Sequence, residues 1–158
     1  MPAPSLKARA IGWLAQREHS RSELRAKLLR RARADAAAAQ APEAADPAPA
    51  VDELLDWLEA HEYLSAARFA ESRLNARAAR HGTERIRREL ARHGVALAPD
   101  ALQHLRDSEF ERARIVWQRK FGSAAVDAAA RAKQARFLAG RGFSPEVIRR
   151  VVRGLPDA

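Results

Sequence analysis

ELARHGVALAPDALQHL, residues 89–105, and FLAGRGFSPEVIRRVV, residues 137–152, share one plan. Each closes an amphipathic helix and passes through a glycine followed by an apolar residue (Gly94-Val95, Gly142-Phe143). Each then re-enters a short helix at Pro99 or at Ser144-Pro145. Glycine reaches the left-handed φ that stops a helix, and proline suits a first helical turn whose N–H has no partner anyway. Outward from these two segments the same grammar extends over the chain. Leu6, Ala10, Trp13 and Leu14 line one helix face; Ser20-Arg21-Ser22-Glu23 reads as a capping box for a helix holding Leu24 and Leu28; Val51, Leu54, Leu55 and Leu58 line a third. A helix over about 66–80 carries Phe69 and Leu74, and the next carries Ile86 and Leu90. A second capping box, Ser108-Glu109-Phe110-Glu111, opens a helix with Phe110, Trp117 and Phe121, followed by one lined by Val126, Ala130, Phe137 and Leu138, and by a last one with Val147, Ile148, Val151 and Val152.

About nine helices therefore fall into three sets of three: residues 1–64, 65–107 and 108–158. The first set is interrupted by ARADAAAAQAPEAADPAPA at 32–50, which has three prolines and no large apolar residue, so burial cannot repay the entropy of ordering it. A flexible linker is expected there, although its first residues can prolong the preceding helix. The expected fold is all-α: three tandem three-helix repeats forming an elongated, curved body, because each repeat buries its apolar face mainly against its neighbours.

Composition narrows the function. The 158 residues include 29 Lys+Arg against 20 Asp+Glu, a formal charge of +9, and all but four of the cations are arginines. Charge is unevenly spread: residues 1–31 are strongly basic, 32–64 strongly acidic, and both later segments basic again. With no cysteine there is no disulfide framework, thiolate zinc site or cysteine nucleophile. No run approaches the roughly 18 apolar residues of a membrane span, and Met1 to Arg9 has no signal-like apolar stretch, so a cytoplasmic location is expected. The five histidines lack ligand spacing, neither GxxxxGK[ST] nor GxGxxG occurs, and no cofactor or metal is expected. Asp52, Glu53, Asp56 and Glu59 read as a solvated acidic face or a patch for a basic partner rather than a catalytic acid and base, and the chain is not expected to be an enzyme.

The arginine rows are the chief positive signal. Arg73, Arg77 and Arg80 share one helix face, and Arg85, Arg88 and Arg92 share another; Arg17, Arg21 and Arg25 form a row in the first repeat, and Arg149 and Arg153 lie four apart in the last. Guanidinium forks suit phosphate or carboxylate alike, so these are the candidate partner- or DNA-binding residues. The alternative is a solvated face in an arginine-rich chain. The aromatics lie mostly at core spacing rather than as base-stacking platforms.

REHSRSEL (17–24), YLSAARFAESRLNAR (63–77) and RGFSPEVI (141–148) occur in an order that resembles the RecX family, regulators of the RecA recombinase. The likeness covers nearly the whole chain outside the linker and the extreme ends, with Ser65-Ala66 standing where an acidic pair often follows the central Tyr-Leu. The resemblance implies three tandem three-helix repeats. It also implies a noncatalytic protein that binds the RecA filament on single-stranded DNA and modulates, usually inhibits, its ATPase, coprotease and strand-exchange activities in recombination and DNA repair. Direct DNA contact is a secondary expectation and a monomer the default, since no heptad seam runs beyond a few turns. A competing reading is a basic DNA-binding module acting without RecA, with REHSRSELRAKLLRR as a helix-turn-helix and Arg21, Arg25 and Lys27 as its groove contacts.

Overall fold

The computed structural model describes residues 1–41 and 43–154. Among these residues there are nine α-helices and no strand: α1 Leu6–Gln16, α2 Arg21–Ala38, α3 Ala48–Ala60, α4 Ala66–Arg77, α5 Thr83–Arg92, α6 Pro99–Asp107, α7 Glu109–Lys120, α8 Ala128–Gly140 and α9 Pro145–Arg153. The local signals act as their chemistry demands. Ser20 Oγ accepts the Glu23 N–H at 3.1 Å and Ser144 Oγ accepts the Val147 N–H at 3.3 Å, each satisfying a first-turn donor. Gly94, Gly142 and Gly154 all take positive φ, at 69°, 85° and 70°.

The first residues of the 32–50 segment do prolong α2, because the Ala/Arg run keeps its helical bonds through Ala38, aided by an Arg31–Asp35 pair at 2.9 Å, and α3 takes up its last three, so the stretch between the helices is 39–47. Two local expectations are corrected. Ser108 is not a side-chain cap: its backbone is already helical, and its hydroxyl donates to the Leu105 carbonyl at 3.2 Å. Val126 is exposed rather than part of α8, which starts behind Asp127, whose carboxylate accepts the Ala130 N–H at 2.7 Å.

Contacts group the chain into two compact units. The first comprises Met1–Phe69 with His93–Val95. Its core is Ala10, Leu24, Leu28, Val51, Leu55, Leu58 and Leu64, where α1, α2 and α3 meet. The His93 ring packs on Phe69 with centroids 4.9 Å apart, and its Nδ1 lies 2.9 Å from Ser20 Oγ.

The second unit comprises Ala70–Arg92 with Ala96–Ala158. Within it α7, α8 and α9 close around Phe110, Ala113, Leu138, Phe143, Ile148, Val151 and Val152. The turn after α4 crosses the turn after α8 at backbone contact: the Gly82 N–H donates to the Arg141 carbonyl at 2.8 Å. A Cβ on Gly82 would stand 2.1 Å from the Gly142 carbonyl oxygen, and one on Gly142 would stand 2.3 Å from the Arg85 Cβ. Beside this crossing Arg112 is half-buried. It donates to the carbonyls of Ala78 at 2.9 Å and Leu105 at 2.8 Å, to that of His81, and to Ser108 Oγ at 3.1 Å. Buried Glu109 accepts the Thr83 N–H at 2.8 Å.

Candidate functional site

The glycine crossing places cations on both its sides. On one side, α5 offers Arg85, Arg88 and Arg92 around a concavity of about 280 Å³, closed by Ala139, Gly140 and Gly142. Arg85 is anchored, donating to the Gly140 carbonyl at 2.8 Å, whereas Arg88 and Arg92 are exposed and have no ion pair among the described residues. On the other side, Arg80 lines a second concavity of about 330 Å³ together with Arg119, Lys120 and Arg141. No carboxylate lines either concavity. Seven cations on one unit thus border two hollows that a multivalent anion can enter, with guanidinium forks matched to carboxylate or phosphate.

The other predicted arginines are placed differently. Arg17 is paired with Glu23, and each holds the other charged: the Arg17 pKa is raised and the Glu23 pKa lowered chiefly by their mutual hydrogen bond. Arg21 meets Asp56 at 2.8 Å and Glu59 at 3.2 Å, while Arg25 grips Asp52 through two bonds of 2.6 and 3.1 Å. The acidic face of α3 is thereby matched to α2 of the same chain. In the helix-turn-helix reading these arginines would reach a DNA groove; here they are turned onto α3, and Lys27 sits over the Trp13 ring at 4.4 Å. Arg73 and Arg77 both approach Glu89, at 3.7 and 3.2 Å. Arg149 and Arg153 are exposed on α9 and line neither hollow.

Sequence reading singled out neither Arg119, Lys120 and Arg141 as site residues nor Arg112 as a structural centre. Arg119 and Lys120 end α7 and Arg141 follows α8, where each passes for a helix-end cation, and only the crossing brings them to Arg80. Two of the histidines, His19 between α1 and α2 and His81 between α4 and α5, lie at helix ends and are buried there. Among the described residues no cluster of three His, Asp or Glu side chains could hold a metal, and no helix is long and apolar enough to cross a membrane.

The buried histidines give the fold a pH response. Burial, more than any other cause, lowers the pKa of both; at His81 the nearby Arg85, Arg77 and Arg141 guanidiniums add to the lowering, and at His19 Arg17 and Lys27 do so. The native rings are thus neutral where the unfolded chain, with histidine near its ordinary value of about 6.5, binds protons. Stability rises with pH between the lowered native values and that ordinary value, so it is full at neutral pH and lost as pH falls from about 6.5. Thermal melts are expected to fall between about pH 7.5 and 5.5, above the carboxylate range, and His81→Asn is expected to flatten the slope. Equal slopes in both proteins would remove His81 from this account.

Comparison with known proteins places the chain. The family described as "RecX, third three-helix domain" matches residues 107–152, which take in α7, α8 and all but the last residue of α9. The chain is 47% identical over 154 residues to the "Regulatory protein RecX" of Ralstonia nicotianae, covering 95% of this chain and 87% of that protein. It is 48% identical over 153 residues to the "Regulatory protein RecX" of Herminiimonas arsenicoxydans, covering 94% and 91%. The crystal structure of RecX from Lactobacillus salivarius matches with a TM-score of 0.68 at 17% identity, over 95% of this chain and 94% of that one, a likeness of fold. By its near full-length identity to these relatives, the chain belongs to the RecX family.

Proposed function

We propose that this chain is a noncatalytic regulator that binds the RecA filament on single-stranded DNA and modulates, chiefly inhibits, its ATPase, coprotease and strand-exchange activities. Its setting is recombination and DNA repair in the cytoplasm, and it acts as a monomer built of repeats at 1–64, 65–107 and 108–158. Family membership supports the regulatory role, and the observation that carries the binding mode is the arginine face of α5. There Arg88 and Arg92 stand exposed beside Arg85, around a hollow that no carboxylate lines. A filament of protein on a polyanion presents both carboxylates and phosphates to such a face, and its occupancy would oppose the changes of filament conformation that accompany nucleotide turnover. Regulation then works by binding rather than chemistry.

The test is RecA ATPase on single-stranded DNA, titrated with this protein beside Arg88→Glu/Arg92→Glu. Inhibition by the native chain is expected, with about tenfold more of the variant needed for the same effect, since reversing interface charges costs both attraction and association rate. No effect of the native chain at equimolar ratio, with RecA from the same source, would overturn the reading. Inhibition shared equally by the variant would move the interface away from α5.

A further inference from the structure

The hollow of about 330 Å³ beside Arg80 differs from the one on α5 in having large apolar side chains in its lining. Ala79, Val116 and Phe137 supply that apolar part, and Arg80, Arg119, Lys120 and Arg141, its charged rim, supply the rest. None of the four cations has a carboxylate partner among the described residues, although ten ion pairs are formed elsewhere in them. An apolar recess with a few converging charges is the build of a recognition pocket, and here every charge has the same sign. We propose that it docks an acidic peptide segment with a short bulky apolar centre, an apolar side chain seated on Val116 and Phe137 and flanking carboxylates meeting the rim.

A polynucleotide fits the recess less well. Sequence-tolerant binding of single strands uses free aromatic faces on which bases stack. The Phe137 ring is already approached by Arg141 at 5.1 Å and Lys120 at 5.6 Å, and Phe121 meets it edge-on at 5.4 Å. It offers apolar contact rather than a stacking platform. The rim guanidiniums take carboxylate and phosphate alike, so it is the apolar lining of Val116 and Phe137 that favours a peptide with an apolar side chain. The docking needs no filament, so it can stand or fall independently of the regulatory reading.

The experiment is fluorescence anisotropy of the labelled peptide EDELFEDE, of its EDESSEDE counterpart and of a twenty-residue oligothymidylate, with the full chain. Two variants alter the rim at exposed positions, Arg119→Glu/Lys120→Glu and the neutral Arg119→Gln/Lys120→Gln, and Arg88→Glu/Arg92→Glu serves as the control on α5. Circular dichroism and melting confirm that each variant is folded. EDELFEDE is expected to bind more tightly than EDESSEDE, to weaken about tenfold in the Glu variant and less in the Gln variant, and to change by less than about twofold in the α5 control. Three results would overturn the proposal: no binding of EDELFEDE, equal binding of EDESSEDE, or rim variants that leave peptide affinity intact while abolishing oligothymidylate binding. The last would make the recess a nucleic-acid contact instead.

Discussion

Gly82→Ala is expected to destabilise the second unit by about 3 kcal/mol or more, an effect at the upper end for adding a single methyl group. The added Cβ would lie 2.1 Å from the Gly142 carbonyl oxygen, 2.2 Å from its carbonyl carbon and 2.3 Å from the Phe143 nitrogen. All three are backbone atoms, so no side-chain rotation can relieve the clash. The two turns must separate, and the bond from the Gly82 N–H to Arg141 at 2.8 Å goes with them. Gly142→Ala adds a second penalty of another kind, since its φ of 85° is unfavourable for any residue with a Cβ and its new methyl would meet Arg85. Gly12→Ala and Gly140→Ala are the controls: neither Cβ would touch anything within 4 Å, and both sites are helical, so each is expected to be neutral or stabilising by up to about 1 kcal/mol. In thermal unfolding of a chain this size the Gly82 variant should melt about 6–12 °C lower, and the controls at or above the native midpoint. An unchanged midpoint for Gly82→Ala would mean the two turns do not cross at backbone contact. Because the crossing also sets Arg80 beside Arg141 and Arg85 beside Gly140, the same substitution should weaken binding at both hollows.

What could be read from the sequence, and what could not, divides by range. The caps at Ser20 and Ser144 and the glycine stops at Gly94 and Gly142 are settled within three or four residues, and they were legible. Ser108 carries the same capping signature but fails to act on it, because Arg112, four residues on, takes its hydroxyl as an acceptor. The row Arg17, Arg21, Arg25 was legible as basic, and Asp52, Asp56 and Glu59 as a patch suited to a basic partner; that partner is the preceding helix of the same chain. Periodicity assigns a residue to a face but does not say which face it meets. The rim residues Arg119, Lys120 and Arg141 show the same limit, since more than twenty-five residues separate Arg80 from each of them and only the glycine crossing makes them neighbours.

Arg112→Met should cost about 2–3 kcal/mol, the range for removing a charged donor from several partly buried backbone acceptors. Its guanidinium joins three pieces of backbone that helices leave unsatisfied: Ala78 and His81 beyond the end of α4, and Leu105 in the last turn of α6. Burial lowers its pKa, partly offset by the charge of Glu109, yet arginine keeps its proton, so the site holds a fixed cation. Methionine would fill much of the volume but take this donor from the Ala78 and His81 carbonyls, leave the Leu105 carbonyl to the Ser108 and Thr83 hydroxyls, and remove the positive charge near Glu109. Lysine should recover only part of the loss, because an ammonium cannot span acceptors that a planar fork reaches together. Glu109→Gln alone keeps an oxygen for the Thr83 N–H but removes the charge that offsets Arg112. In the double variant Arg112→Met/Glu109→Gln no buried charge is left unpaired, and its cost should fall short of the summed single losses by about 1 kcal/mol or more. Urea unfolding of the four proteins measures this coupling directly. Strict additivity would mean that Arg112 acts only through the carbonyls, with the acid an independent cap on α5.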